Sequence, residues 1–126
     1  MAVKKNSTIL LVEDDPTLIE MYKMKFTEDG YQVTVATSGV EGLAVAVREV
    51  PQIILLDIIL PEMDGFAVLE ALKKEPKTKD IPVLLLSNLG QDSDIAKGKK
   101  LGAADYLVKA NFTPSQLADK IKSILK

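Results

Sequence analysis

The chain has 126 residues, 47% of them apolar and 27% charged, which is the size and balance of one globular domain and argues against disorder. It contains no cysteine and no histidine. This excludes disulfides, thiolate metal sites, a cysteine nucleophile, a serine–histidine triad and a phosphohistidine on this chain, and it leaves hard cations with oxygen ligands as the metals to expect. The formal net charge of −2 argues against nucleic-acid binding through bulk electrostatics.

Five short apolar runs predict β-strands, at residues 9–12, 31–36, 53–56, 83–86 and 106–108. Continuous apolar runs of this length are typical of strands buried on both faces of a parallel sheet. The run at residues 9–12 is too short for the apolar part of a secretion signal, and no stretch approaches the roughly 18 residues of a membrane span. We therefore expect a cytoplasmic protein that does not insert into a membrane.

Segments with helical periodicity separate the predicted strands. Apolar residues fall on one face around Tyr22, Val47, Leu69 and Ile121, whereas the stripe around Ile95 is weak. Predicted helix boundaries agree with this pattern. Pro16 marks a helix start, Gly30 and Gly102 mark helix stops, and residues 113–116 have the sequence of a capping box with Pro at the first helical position.

The alternation of strands and helices predicts an α/β fold of five β-α units, (βα)5, in a single domain over residues 1–126. Right-handed crossovers at this spacing give a parallel five-stranded sheet that is doubly wound, with helices on both faces. We find no internal repeat, linker or low-complexity segment. No second, output domain is expected on this chain.

Acidic residues follow two of the predicted strands. The first strand ends in Glu13, Asp14 and Asp15, and the third ends in Asp57. Because ligands bind beyond the carboxyl ends of parallel strands, we expect these groups to meet at one edge of the sheet. Three carboxylates at Asp14, Asp15 and Asp57 would repel one another unless a cation intervenes, and Mg²⁺ suits an all-oxygen site. Alternatively, Asp14 or Asp15 caps the helix that begins near Pro16; this does not explain Asp57.

A hydroxyl and an ammonium follow the other strands of the same edge. Ser87 ends the fourth strand and Lys109 the fifth. Taken singly, a loop cap and a salt bridge are the simpler interpretations. Together with a metal, they provide what phosphoryl transfer onto a carboxylate requires, namely charge neutralisation and a hydrogen-bond donor for the phosphoryl oxygens. Asp57 is the best candidate for the acceptor.

In this order, the segments at residues 11–15, 55–65, 86–87 and 102–109 resemble the receiver domain of two-component response regulators, the CheY-like domain. The resemblance covers essentially the whole chain, and its most specific part is the D-x-x-x-P-x-M-D-G run from Asp57 to Gly65. It implies a flavodoxin-like sheet with strand order 2-1-3-4-5.

The resemblance implies a role for each residue of the edge. Asp57 would accept a phosphoryl group from a histidine kinase or a phosphotransfer protein. Asp15 and Asp57 would bind Mg²⁺ directly, together with the backbone carbonyl of Ile59, and Asp14 would help through water. Lys109 would pair with the phosphoryl group.

The same resemblance implies a conformational switch. Ser87 would move toward the phosphoryl group, and Tyr106 would turn inward into the space left. The last strand and the last two helices would then present a changed face to a downstream protein target. No direct DNA binding is expected, and the only reactions expected of the chain are its own phosphorylation and dephosphorylation, so it is not expected to be an enzyme.

Charge is distributed unevenly along the chain. Residues 1–72 carry 5 basic and 12 acidic side chains, and residues 73–126 carry 11 basic and 6 acidic ones. A solvated surface of mixed sign explains this as well as a docking face does. The candidate basic docking face comprises Lys97, Lys99, Lys100, Lys120 and Lys122.

Three positions depart from the family pattern. Ser87 replaces the commoner Thr, Asn88 replaces a small residue, and residues 109–112 read Lys-Ala-Asn-Phe where the family has Lys-Pro-Phe. Without proline, a cis bond after Lys109 costs about 3 kcal/mol, so we expect a trans or rebuilt loop. Asn88 and this loop leave open a receiver-like interaction module that is not phosphorylated.

An enzyme or cofactor binder on a similar sheet is the third alternative. The acidic run after the first strand has the wrong charge for an FMN phosphate loop, lacks the D-x-D spacing of a haloacid dehalogenase-type phosphatase, and the chain contains no Walker A motif. The switch is therefore the main hypothesis.

Overall fold

The computed structural model describes residues 7–126, which form five β-α units. The strands are β1 (Thr8–Val12), β2 (Gln32–Ala36), β3 (Ile53–Leu56), β4 (Val83–Ser87) and β5 (Asp105–Val108). The helices are α1 (Pro16–Glu28), α2 (Gly39–Glu49), α3 (Gly65–Lys74), α4 (Asp92–Lys100) and α5 (Pro114–Leu125), and a 3₁₀ turn (Lys109–Asn111) links β5 to α5. All five predicted strands and helices are confirmed.

The strands form one parallel sheet in the order β2-β1-β3-β4-β5. This confirms the doubly wound α/β fold and the strand order. Along β1 and β3, side chains alternate between two apolar cores, one on each face of the sheet. Both strands are therefore buried on both sides, which is why their sequences are apolar without interruption.

Helices cover the two faces unequally. The core beneath α2 and α3 includes Leu10, Leu56, Leu85, Val45 and Leu69, with Ile95 of α4 packed at its margin. The opposite core, beneath α1 and α5, includes Ile9, Leu55, Phe26, Leu117 and Ile121. Among the described residues, no helix is both long and apolar enough to cross a membrane.

Side-chain caps fix where most helices begin. Asp15, Ser38, Asp64 and Thr113 accept hydrogen bonds from the first turns of α1, α2, α3 and α5. The predicted capping box at α5 is confirmed, with Thr113 and Gln116 bonding reciprocally. In contrast, Gln91 at the start of α4 makes no side-chain cap bond, and Gly98 is the one buried residue of this helix. The weak periodicity of this segment thus corresponds to the most loosely anchored helix.

Strand register brings the polar strand ends together. Val12 of β1 pairs with Leu56 of β3, and Leu56 pairs with Leu85 of β4. Ser87 pairs with Val108. The residues that follow these positions therefore emerge side by side at the carboxyl edge of the sheet, as the sequence predicted.

Candidate phosphoacceptor site

Asp57 lies at the centre of this edge, immediately after β3. Its backbone N–H donates to the carbonyl of Val12 at 3.0 Å, which continues the pairing with β1. The side chain is buried, and both carboxylate oxygens have partners. Oδ1 accepts the N–H of Ile58 at 2.6 Å, and Oδ2 accepts a hydrogen bond from Lys109 Nζ at 2.8 Å. The carboxylate is thus held in one orientation at the edge of the sheet.

Lys109 reaches the same point from the end of β5. Its ammonium lies 2.8 Å from Asp57 Oδ2 and 2.6 Å from Glu13 Oε1, and its side chain is 10% exposed. Burial lowers the pKa of Lys109, but hydrogen bonds to Asp57 and Glu13 outweigh this effect, so the pKa is raised overall. Lys109 is therefore a fixed positive charge at neutral pH.

Glu13 was expected at this edge of the sheet, but the sequence analysis assigned it no role in the site. Its side chain is 2% exposed, and its Oε2 accepts the backbone N–H groups of Asp14 and Asp15 at 3.1 and 3.2 Å. Burial raises the pKa of Glu13 above its ordinary value, while Lys109 opposes that rise. A sequence signal existed, because Glu13 follows β1 directly, just as Asp57 follows β3.

Three carboxylates converge beside this ion pair. Oxygens of Glu13, Asp14 and Asp57 all lie within 4.8 Å of one another. Asp14 is exposed, whereas the other two are buried. An all-oxygen donor set that opens to solvent on one side suits a hard divalent cation that retains water ligands, so these residues fit Mg²⁺.

Asp15 lies outside that cluster, which changes its predicted role. Its Oδ1 accepts the N–H groups of Thr17 at 2.9 Å and Leu18 at 3.3 Å. This carboxylate caps the N-terminus of α1 and is exposed. The sequence prediction treated Asp15 as a direct metal ligand and Asp14 as an indirect one; in the structure, Glu13 and Asp14 are the acids that accompany Asp57. Pro16 explains the difference, because it starts the helix and leaves Asp15 at the capping position.

Ser87 and Tyr106 lie at the adjoining side of the site. Ser87 is buried at the end of β4, and its Oγ accepts the N–H of Leu89 at 3.3 Å. The ring of Tyr106 is buried, and its hydroxyl donates to the carbonyl of Leu89. Burial raises the pKa of Tyr106, so the hydroxyl stays protonated. Both residues hold the loop between β4 and α4 through the backbone of Leu89.

Two of the loops beside the site, after β4 and after β5, contain the residues that depart from the family pattern. The peptide bond after Lys109 is trans, and residues 109–111 form a 3₁₀ turn in place of the family's Lys-Pro-Phe. Asn88 is exposed beside Ser87. Ile59 follows Asp57 by two residues with its side chain 64% exposed. Its backbone carbonyl stays a predicted metal ligand.

Comparisons with known proteins agree on one family. The sequence model of one protein family, the response regulator receiver domain, matches residues 9–122 of this chain. The DNA-binding dual master transcriptional regulator RpaA of Synechocystis is 38% identical over 94% of this chain and 48% of its own length. The chain thus spans about half the length of that curated relative.

Solved structures show the same fold. A putative response regulator from Chloroflexus aurantiacus has a TM-score of 0.88 and 36% identity, covering 96% of this chain and 98% of that one. The chemotaxis response regulator CheY4 of Vibrio cholerae has a TM-score of 0.88 and 28% identity, covering 95% of this chain and 99% of that one.

Proposed function

We propose that this chain, which belongs to the response regulator receiver domain family, accepts a phosphoryl group on the carboxylate of Asp57. The observation that carries the proposal is the position of this carboxylate. It lies between a buried ammonium, 2.8 Å away on Lys109, and two further acids within 4.8 Å, Glu13 and Asp14. A nucleophilic carboxylate beside fixed positive charge is the arrangement that acyl phosphate formation needs.

The phosphoryl donor in this proposal is a phosphohistidine on a histidine kinase or phosphotransfer protein, since the chain has no histidine of its own. A carboxylate oxygen of Asp57 attacks phosphorus in line, the N–P bond of the donor breaks, and the donor imidazole leaves with the electron pair. Mg²⁺, when bound by Glu13, Asp14 and Asp57, neutralises charge on the transferring group. Lys109 pairs with a phosphoryl oxygen, and the hydroxyl of Ser87 donates a hydrogen bond to another.

The output of the reaction is a change of shape. Ser87 and Tyr106 both contact the backbone of Leu89, so movement of the Ser87 hydroxyl toward a phosphoryl group would disturb the loop that leads into α4. That helix is weakly anchored. We propose that the face formed by α4, β5 and α5 binds a downstream protein and that phosphorylation changes its affinity.

We also propose where the domain acts and which basic side chains contact its partner. In this proposal, residues 1–126 are one receiver domain, of which the structure describes residues 7–126. The domain acts in the cytoplasm, and its chemistry is limited to gaining and losing its own phosphoryl group. The basic residues Lys97, Lys99, Lys100 and Lys122 are exposed and Lys120 pairs with Asp105 at 2.9 Å. These side chains are candidates for contact with an acidic surface of the downstream partner, and charge reversal at Lys99 and Lys100 would weaken that binding.

The test is the intact mass of the protein after incubation with acetyl phosphate, with Mg²⁺ or with a chelator. We expect one phosphoryl adduct that requires Mg²⁺, is absent in Asp57→Asn and persists in Asp64→Asn, a matched variant of the α3 cap. Failure of acetyl phosphate and of beryllofluoride to bind the wild-type protein would reject the proposal. That result would favour a receiver-like module that binds partners without phosphorylation, with exposed Asn88 as the first residue to change.

A further inference from the structure

A cavity of about 810 Å³ opens at the amino edge of the sheet, opposite the carboxyl edge that holds Asp57. Its walls come from the segments that lead into β1, β2, β3 and β4 and from the end of α5. The lining includes Ser7, Tyr31, Val50, Pro51, Pro82 and Leu125. A cavity of this volume with a mainly apolar lining is typical of sites for small molecules.

Backbone hydrogen bonds between the strand starts fix the floor of this cavity. The N–H of Gln32 donates to the carbonyl of Ser7 at 2.9 Å, which joins the starts of β1 and β2. The N–H of Ile54 donates to the carbonyl of Pro82 at 3.1 Å, which joins the starts of β3 and β4. The folded backbone thus forms the cavity before any ligand is present, which lowers the entropic cost of binding.

Tyr31 offers the cavity a hydrogen-bond donor that the fold does not use. The residue is only 6% exposed, yet its hydroxyl has no hydrogen-bond partner among residues 7–126. In this part of the chain, no side-chain oxygen that is completely buried lacks a partner. The hydroxyl therefore opens onto a cavity that Tyr31 lines. Burial and the nearby Asp29 raise the pKa of Tyr31, so the hydroxyl keeps its proton at neutral pH and can donate it to a ligand.

The charges around the cavity favour an anionic ligand. Lys77 and Lys122 line it, and neither forms an ion pair with a described residue. Asp80 is the one acidic side chain among the described residues of the lining. This small excess of positive charge suits a monoanion. An adjoining cavity of about 220 Å³ shares Lys122 but is lined by Asp29 and Asp119, which repel an anion.

The apolar wall of the larger cavity contains a strained residue. Val50 follows α2 with φ 47° and ψ 65°, in the left-handed region that is unfavourable for a β-branched side chain. Its side chain is 46% exposed, so burial in the core does not compensate for the strain. Residues held in such conformations are found preferentially at binding sites. With Pro51 and Pro82, Val50 provides flat apolar surface in the cavity.

We propose that this cavity binds a small aromatic monocarboxylate. Tyr31 and Lys122 both line both cavities, so they lie at the common border, where the carboxylate accepts a hydrogen bond from the hydroxyl and pairs with the ammonium. The aromatic body covers Val50, Pro51 and Leu125 and removes their apolar surface from water. No residue of the phosphoacceptor site lines the cavity, so the inference does not depend on the proposed function.

The test is a nuclear magnetic resonance titration of the isotopically labelled chain with cinnamate and, separately, with the neutral isostere cinnamamide. We expect cinnamate to shift the backbone amide signals of Tyr31, Gln52 and Ile81 with one common dissociation constant. It should bind about tenfold more tightly than cinnamamide, because only the carboxylate makes charge-assisted hydrogen bonds.

Three results of this titration would overturn the proposal. The first is equal affinity for the two compounds, and the second is the absence of shifts at the amides that line the cavity. The third is a set of shifts at those amides that follows protein concentration without cinnamate, which would assign the cavity to a second copy of the chain.

Matched variants separate the two polar contacts from general effects on the fold. Tyr31→Phe removes a hydroxyl that holds no described residue, so we expect unchanged stability and about fivefold weaker binding of cinnamate. Lys122→Met should weaken cinnamate by a similar factor and leave cinnamamide unchanged. Tyr22→Phe and Lys99→Met are the controls, since neither residue lines the cavity. Equal losses in variants and controls would refute the assigned contacts.

Val50→Gly tests whether the backbone strain belongs to the binding site. Glycine adopts the left-handed conformation without steric cost, so we expect unfolding to need a higher urea concentration. Loss of the side chain should weaken cinnamate and cinnamamide alike, by about threefold, because the two compounds share one apolar body. Unchanged affinity for both compounds would remove Val50 from the site and overturn the proposed apolar wall.

Discussion

The carboxylate of Glu13 lies 2.6 Å from the ammonium of Lys109, which makes a buried ion pair between the ends of β1 and β5. These strands are not neighbours, since β3 and β4 lie between them. The same ammonium lies 2.8 Å from the carboxylate of Asp57, so Lys109 bridges the two acids. Lys109 thus links the ends of β1, β3 and β5 at the carboxyl edge of the sheet.

The two neighbouring acids after β1, Asp14 and Asp15, should differ in their effect on Mg²⁺ binding. We expect Asp14→Asn to weaken Mg²⁺ binding by about tenfold, because a charged ligand becomes neutral. Asp15→Asn should keep near-normal affinity, since asparagine caps a helix about as well as aspartate. Calorimetric titration of both variants checks this. Equal losses in the two would restore Asp15 to the set of ligands.

Removal of the central ammonium should destabilise the protein when Mg²⁺ is chelated. Lys109→Met leaves Glu13 and Asp57 buried without a cation, and we expect a loss of about 3 kcal/mol in the free energy of unfolding. Adding Glu13→Gln should restore part of the loss, because the uncompensated charge is removed. Urea unfolding measures both values. A double variant no more stable than Lys109→Met would contradict the assigned ion pairs.

Gly65 sets the shape of the loop that follows the acceptor. A Cβ atom there would lie 2.2 Å from the carbonyl oxygen of Asp57, which is backbone and cannot turn aside. Gly65→Ala should therefore cost about 2 kcal/mol or more of stability and reduce the phosphoryl adduct. Gly90→Ala is the matched control, since its nearest contact would be an ordinary 3.4 Å to Val108. Similar losses in both variants would show that the close approach is not the cause.

The hydroxyl of Tyr106 should affect the stability of the loop between β4 and α4 more than the phosphorylation of Asp57. Tyr106→Phe keeps the buried ring but removes the hydrogen bond to the carbonyl of Leu89, which costs about 1 kcal/mol. We expect faster amide hydrogen exchange over residues 88–91, with the yield of adduct at Asp57 unchanged. Unchanged exchange would mean that this hydrogen bond does not hold the loop.

A pH prediction concerns Asp105 at the start of β5. Burial raises its pKa, but the hydrogen bonds from Lys120 and from the N–H of Tyr106 outweigh that effect, so the pKa is lowered overall. Its contribution to stability is thus present above the unfolded-state value of 3.8 and is lost as the pH falls through the folded-state value.

The measurement compares urea unfolding of the wild type and Lys120→Met at pH 5.5 and pH 3.5. On going from pH 5.5 to pH 3.5, we expect the free energy of unfolding to fall more in the wild type than in Lys120→Met. The expected difference is only about 0.5 kcal/mol, because an ion pair that is partly exposed is weak. A larger loss in Lys120→Met would show that the pair does not lower the pKa of Asp105.

The sequence by itself determined the order of elements and the sheet type, and it identified Asp57 as the candidate acceptor. Continuous apolar runs identify strands buried on both faces, and polar residues just beyond them must meet at the carboxyl edge of a parallel sheet. Asp57, Ser87 and Lys109 were identified on these grounds, and the structure brings Asp57 and Lys109 into contact.

Only the tertiary structure decided which acids accompany Asp57. In the sequence, Glu13, Asp14 and Asp15 are adjacent acids, and no local pattern shows which of them lies next to Asp57. The register of β1 and β3 places Glu13 beside Asp57. The carboxylate of Asp15 instead accepts hydrogen bonds from N–H groups in the first turn of α1. The reach of Glu13 to Lys109 depends on the separation of β1 and β5, a distance that the intervening strands set and that no local pattern encodes.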